Sequence, residues 1–499
     1  MIRPFVLDLR SLALMRIGVG LLLLLDLADR ARDLADFYTD SGVLPRGLLT
    51  QEYWNPAWWS LHLYNGTTAG QGALFLAHAA AALALLLGWR GRIATGVAYV
   101  LTLSLQNRNP LLLDGSDRLL LLLLFWGLFL PWEARFSLDA RRRPRLAAFP
   151  HAISLPGGAA YLCQTCVIYL VAAYWKLHPV WISERSAIYR ALEMEQFTKP
   201  LGYLLRDFPG LLGVLTLGVL LLEALAPLLL LSGNGRPRGL AVVLLAGLHL
   251  GIGLTLDLEA FPLVSVVALL GCCPSAFWDK IASWRHGGNL PTRPAPEAHP
   301  GEVSPLAWAN SSLTTALVTV FLLAVLIWNG LVIANNRQPP RSTSPLTVLL
   351  SATRLTQFWD LFSPVPREVD SRYFLEAYLA DGRRIDLLRD GRPLSTASVP
   401  LPSAEFKNQR QRVYLSTLEW SVDKDILMRY LRRRAVAWEE QHPEPKVLWT
   451  RLWSLRQPTR FFDPARTPQL VDLGAAVAPH AGWQGPPAPT PLLEGRGTP

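Results

Sequence analysis

Long apolar runs broken by short polar turns set the pattern of this chain through residue 334. A run of about twenty apolar residues is what a helix needs to cross a bilayer. The pattern predicts nine such helices, near 11–28, 70–88, 92–106, 117–132, 158–177, 211–231, 239–256, 260–278 and 313–334. The third run is short and Pro262 interrupts the eighth, so these two depart furthest from a simple span. Arg16 and Asp26 interrupt the first run and no small-residue cleavage motif follows it, so it reads as a retained span, not a signal peptide.

After Ala334 the periodicity changes. Tyr373–Leu379 and Arg384–Leu388 flank an Asp381-Gly382 pair, a hairpin signal. Asp423 to Gln441 has helical spacing and Val447–Leu455 alternates like a strand. These elements predict a small outer α+β domain over 340–474, preceded by an aromatic connector at 355–366. The Pro/Gly/Ala-rich stretch 475–499 reads as a disordered tail. Residues 285–312 read as a cytoplasmic Pro/Gly-rich linker ahead of the ninth helix, 313–334. Residues 1–284 form the bundle proper. The segment from Asp29 to Ala69, with Tyr53, Trp54, Trp58 and Trp59, reads as an interfacial element lying on the bundle, or as a lid. Ile182 to Leu192 reads as one short amphipathic helix.

Composition fits a polytopic membrane bundle: 499 residues, 51% hydrophobic, with a positive mean hydropathy. The net charge of +10 raises nucleic acid as a partner, but the placement of that charge excludes it. Positive residues gather in alternate loops: Arg90 and Arg92; Arg135, Arg141, Arg142, Arg143 and Arg145; Arg236 and Arg238; Lys280 and Arg285. This alternation orients a cytoplasmic N-terminus and, after nine crossings, an outer C-terminal domain. Cys163, Cys166, Cys272 and Cys273 read as small packing residues, and no His/Cys spacing suits a metal. The Arg-rich, Lys-poor usage suggests a bacterial source and its cytoplasmic membrane.

The ionisable residues within the apolar runs are the candidate chemistry, because such groups face a bundle interior or a wet cavity. They are Arg16, Asp26, His78, Glu223 and His249, with Lys176 and Asp257 at run boundaries. Simple structural roles are available to each: Arg16 pairing Glu223, Asp26 pairing Arg30, His78 donating to a carbonyl. Lys176 stands out. It is one of only six lysines against 48 Lys plus Arg, and a lysine in an apolar setting can act as a base. Asn107-Arg108-Asn109-Pro110 and Asp114-Gly115-Ser116-Asp117 form either an outer turn or the closing wall of a cavity near Lys176. No phosphate loop, zinc-protease motif or nucleophile elbow competes.

Five features in order resemble the horizontally transferred transmembrane domain family, which includes the vitamin K-dependent gamma-carboxylases. They are Arg16 and Asp26 ten residues apart, Gly88 to Ile93 as a Gly-x-x-x-Arg-Ile exit, and an Asn-rich turn after span three. Ala173 to Leu177 as Ala-x-x-Lys-Leu, and His249 followed twelve residues later by Phe261, complete the set. The resemblance implies a nine-span bundle over roughly residues 10–280, with Lys176 on the position of the catalytic base. In that family a reduced quinone is oxygenated, a glutamate γ-proton is removed and carbon dioxide adds. It thus implies a vitamin K or menaquinol-type cofactor, an exported peptide or protein substrate, and a lyase-like activity. His249, Asp26 and Asn109 would shape the site. One departure matters: the carboxylases carry a His in the Asn-rich turn, where this chain has Asn109 beside Arg108. Asn exchanges no proton at neutral pH. A scaffold or maturation factor binding an exported peptide or lipid is therefore the competing expectation. A transporter is the weakest one, since the spans show no internal repeat.

Overall fold

A computed structural model describes residues 4–143, 150–285, 306–396, 401–420, 424–459, 465 and 467–478. The predicted apolar runs all become helices: α1 (Leu9–Ala31), α2 (Thr68–Leu87), α3 (Gly91–Arg108), α4 (Gly115–Gly127), α5 (Pro156–Trp175), α6 (Pro209–Leu230), α7 (Arg236–Thr255), α8 (Phe261–Leu270) with α9 (Ser275–Arg285), and α10 (Ser312–Ala334). Local chemistry fixes their ends. Asp8 accepts the backbone N–H of Arg10 at 2.8 Å to start α1, and Asp114 with Asp117 forms a capping box on α4. Gly88 closes α2 at φ 64°, a conformation that a side chain would strain.

Six of these helices, α1, α2, α5, α6, α7 and α10, are long and apolar enough to cross a membrane, making this an integral membrane protein. Among the described residues the expected count of nine is not confirmed. Helix α3 ends in the polar run Gln106-Asn107-Arg108, and α4 has only 13 residues. Helices α8 and α9 are bent by 83° at a break, and make a seventh span only if taken as one.

The helices run alternately between two ends. At the N-terminal end, a two-stranded ribbon, β1 (Val6–Asp8) with β2 (Ala152–Ser154), ties α1 to α5. There the Arg238 guanidinium donates to the carbonyls of Leu230, Val6 and Pro4. Ser275 Oγ, after the bend, donates to Asp8 at 2.7 Å. The opposite end carries Lys176, Asp26 and Asp257.

Over that end lies an antiparallel sheet in the order β5-β4-β3-β6-β7, built from β3 (Val369–Leu379), β4 (Arg384–Asp386), β5 (Arg392–Pro393), β6 (Val447–Pro458) and β7 (Gln469–Val477). The expected hairpin is β3–β4, and the expected helix is α12 (Lys424–Gln441), which follows α11 (Gln409–Trp420). Strand β7 corrects one expectation: Ala475, Ala476 and Val477 pair with β6 and do not begin a disordered tail. Residues 479–499 and most of the 285–312 linker lie outside the described residues. The Ile182–Leu192 helix is in fact two, Pro179–Ile182 and Ala187–Leu192, separated at Arg185 with φ 54°.

The α+β part does not have a core of its own. One apolar cluster joins Leu27, Phe37, Leu44, Phe75 and Leu112 of the first half to Tyr373, Leu415, Ile426 and Leu452 of the second. The connector goes further in. Leu355 and Trp359 belong to the bundle core, and Gln357 is fully buried with its Oε1 accepting from Gln164 Nε2 at 2.8 Å. The chain therefore threads back into the bundle before it builds the sheet.

Candidate functional site

Two clusters of polar side chains sit at or below the Lys176 end. The deeper one begins with Lys176, which is only 4% exposed. Because α5 stops at Trp175, the lysine side chain turns back along the helix. Its Nζ lies 2.8 Å from Glu223 Oε2 on α6 and 5.2 Å from the centre of the Trp181 ring. The amine is thus one half of a buried ion pair and is not out among lipid headgroups. Tyr169 of α5 and His249 of α7 meet at 3.1 Å, phenol oxygen to Nε2. Tyr169 stands seven residues before Lys176, two helical turns away on the same face.

Tyr169 and His249 line a cavity of about 50 Å³. Leu119, Leu122, Trp126, Phe261 and the connector's Trp359 form much of the rest of its wall. Phe261 packs edge-on against His249 at 5.9 Å, so the His–Phe spacing read from the sequence becomes a ring contact.

The second cluster is a buried charge network. Arg30 of α1 reaches Asp26 at 2.7 Å, Tyr38 Oη at 2.7 Å, and Asp117. Arg410 of α11 reaches the same two carboxylates: Asp26, and Asp117 at 2.9 Å. It also donates to the Leu112 carbonyl at 3.1 Å. Two arginines and two aspartates balance to zero. Burial alone would lower the Arg410 pKa, but Asp117 and Asp26 outweigh it and hold the guanidinium charged. Close by, Arg412 binds Asp257 at 2.6 Å and the Gln196 carbonyl. Lys407 pairs with Asp33 at 2.6 Å, and Arg433 with Asp36 at 2.7 Å. Charge, as well as apolar packing, holds the α+β part to the bundle.

The sequence-predicted residues therefore divide. Lys176 meets Glu223, while His249 meets Tyr169 and Phe261. Asp26, with Arg30 as expected, belongs to the charge network, as does Asp257 through Arg412. Asp114 caps α4 beside Asp117. Asn109 is committed to structure: its Nδ2 donates to the Phe37 carbonyl at 3.0 Å and its Oδ1 accepts from Leu111 N–H at 3.2 Å. Arg108 similarly holds the Leu44 and Thr39 carbonyls, so this turn pins the 37–44 segment down. Arg16 does not pair with Glu223. It lies at the N-terminal end and donates to the carbonyls of Leu85, Leu86, Trp132 and Phe136, while Lys176 takes the glutamate. His78 meets Thr102 Oγ1 at 2.9 Å, not a carbonyl. The 29–69 aromatic segment lies on the bundle: Asn107 Nδ2 of α3 donates to the Trp59 carbonyl at 2.7 Å, and Ser60 Oγ donates to the Ser104 carbonyl at 2.6 Å.

Asp370, at the start of β3, gives the junction a pH dependence. Its carboxylate accepts from Gln196 Nε2 at 2.6 Å and from the Gln196 backbone N–H at 3.1 Å. Burial pushes it from an ordinary 3.8 up to about 6, against the opposing pull of those hydrogen bonds. The folded chain then keeps this proton to about pH 6, whereas the unfolded chain loses it near 3.8. Stability from this group is greatest below about pH 4 and falls as pH rises through 6, by up to about 3 kcal/mol. Melting temperatures measured from pH 4 to 7 should lose this downward component in Asp370→Asn. An unchanged slope would contradict the assignment.

No curated protein and no solved structure matches the chain. The family model described as the HTTM domain matches residues 5–278, more than half of the chain. That stretch runs from β1 through α1–α8 into α9 and contains Lys176, Glu223, Tyr169 and His249. On this match the protein belongs to the HTTM domain family.

Proposed function

We propose that this protein is a membrane enzyme that draws a proton from a lipid-soluble quinol at Lys176, with its N-terminus in the cytoplasm and its α+β part outside. One observation carries the reading: a lysine amine buried at 2.8 Å from a carboxylate, two helical turns along α5 from a Tyr–His pair that lines a cavity. Buried ionisable groups from separate membrane helices are costly unless they serve a site. Lys176 Nζ and Glu223 Oε2 can hold one proton between them, so the amine can release its own to the carboxylate and take another. The Tyr169–His249 pair offers a second proton-exchanging contact on the cavity side.

A reduced quinone, when bound, supplies an acidic hydroxyl and a pair of electrons. His249 and Trp126 stand on the cavity wall, and their Nδ1 and Nε1 have no hydrogen-bond partner among the described residues, so they are the candidates to meet its oxygens once the wall opens. The cavity of about 50 Å³ is smaller than a two-ring quinone, so entry requires its leucine wall to open. Asn109 holds the Phe37 carbonyl and the Leu111 N–H, and an amide exchanges no proton at neutral pH, which argues against a carboxylation step at that position. The reading is therefore quinol chemistry without the carboxylation half.

The test is purified protein supplied with a reduced naphthoquinone and dioxygen. Wild type should oxidise the quinol faster than the protein-free reaction, and Lys176→Ala should abolish the excess. Equal rates in wild type and variant would remove the proposal.

A further inference from the structure

We infer that α9 lies flat in the headgroup layer at the N-terminal end of the bundle, where it and the neighbouring arginines hold anionic phospholipid. The backbone sets this course. Gly18 packs on Val267 and Gly271 on Met15, so α8 runs antiparallel alongside the spanning helix α1. Pro274 has no N–H to continue that helix, and the chain turns through 83° into α9. Ser11 Oγ donates to the Cys273 carbonyl at 2.8 Å and the Ser275 N–H to Asn234 Oδ1 at 3.0 Å, which fixes the turn in place. A helix at nearly a right angle to its spanning neighbours lies along the membrane. Its 11 residues, about 16 Å, also fall well short of a crossing.

One face of α9 is spent on the protein. Trp278 Nε1 donates to Ser11 Oγ at 2.7 Å, its ring lies 5.6 Å from the Arg10 guanidinium, and Arg10 reaches Asp279 at 3.3 Å. The other face is open. Phe277, Lys280, Ile281 and Trp284 recur at the three- and four-residue spacing of a single helical stripe. Phe277 is 48% exposed and Trp284 85%. Phe136, itself exposed, packs on Trp278 at 5.7 Å and extends the aromatic surface. Aromatic rings with a lysine among them on one side of a short helix suit the boundary between acyl chains and headgroups, rings below and ammonium at the phosphates.

Charge then selects the lipid. Arg141, Arg142 and Arg143 are exposed at the end of the short helix Leu138–Arg142, which Asp139 ties to the start of α3 by accepting the Gly91 N–H at 2.8 Å. Arg236 is exposed at the start of α7, on the same end of the bundle. The acids nearby are committed: Asp8 to Arg10 and Ser275, Asp139 to the α3 backbone, and Asp279 to Arg10. An end of the bundle left positive in this way is complementary to a phosphate-bearing leaflet of net negative charge, and a zwitterionic one would neutralise it less well. The inference does not depend on the quinol reading.

Two measurements on the full-length protein decide it, and neither reads activity. The first is depth. A nitroxide placed by Ile281→Cys or Trp284→Cys, in phosphatidylglycerol vesicles and with wild type treated alike as background, should collide more with dissolved oxygen than with a water-soluble nickel chelate. The second is lipid choice. Native mass spectrometry of detergent-purified protein given phosphatidylglycerol or phosphatidylcholine should show the anionic lipid retained in preference. Arg142→Gln and Lys280→Gln, both at exposed positions, should each lower that preference by about fivefold, the effect of one basic residue near an anionic surface. In wild type, with no substitution at all, the preference should fade as salt rises to about 1 M. Collisions chiefly with the nickel chelate would mean that the open face meets water or a soluble partner, and overturn the inference. Equal retention of the two lipids would overturn it as well.

Discussion

Arg410→Met should destabilise the protein by about 3–5 kcal/mol, the usual loss when one member of a buried charge group is removed. The substitution leaves Arg30 as the only arginine facing Asp26 and Asp117 in a network where both carboxylates now bond Arg410. One uncompensated negative charge would remain in a setting that α11 seals from water. The effect should concentrate at the junction. Residues around 403–412 should become open to protease while α5–α7 hold, since Arg410 bridges two parts of the chain nearly 300 residues apart. Asp117→Asn on the Arg410→Met background restores neutrality and should recover more than half of the loss. Thermal unfolding of the single and double variants measures this. Additive losses would mean that the four charges do not act as one unit.

The legibility of this fold follows the range of its interactions. Helices announce themselves locally, and the nine apolar runs each became helix because apolar content and caps such as Asp8, Thr67 and Ser311 act within a turn. The number of crossings was less legible. Periodicity cannot show that α8 turns through 83° into α9. The hairpin signal worked because Asp381-Gly382 sets the β3–β4 register on its own. Strand β7 escaped because its Gly-Ala-Ala segment has little strand character and owes its form to pairing with β6.

Lys176 and His249 were legible as candidates because charge and imidazole are rare in apolar runs. Their partners were not legible: the sequence pairs Glu223 with Arg16, and only the placement of Arg16 at the opposite end of the bundle hands the glutamate to Lys176. Tyr169 left a faint trace, its seven-residue spacing from Lys176. Arg410 and Arg412 left none. They look like solvated helix charges until α11 is seated against Asp26, Asp117 and Asp257.

The ion pair separates stability from chemistry. Lys176→Met alone strands the Glu223 carboxylate in the bundle and should cost about 3–5 kcal/mol, and Glu223→Leu should cost a similar amount by stranding the ammonium. The double variant Lys176→Met with Glu223→Leu removes both charges and fills the space with apolar atoms. Replacement of a buried pair in this way is neutral or stabilising by about 1–4 kcal/mol, so its melting temperature should return to wild type or above. On the proposed function, quinol oxidation should not return with it, because the amine proposed to accept the proton is gone. Lys176→Arg keeps the charge but not a group that gives up its proton, and should likewise fold and remain inactive. A stable double variant that still oxidises quinol at the wild-type rate would leave Lys176 a structural residue only. If the double variant melts no higher than the two single ones, the 2.8 Å contact does not couple the two groups energetically, and the lysine's burial must be explained by its packing against Trp181 instead.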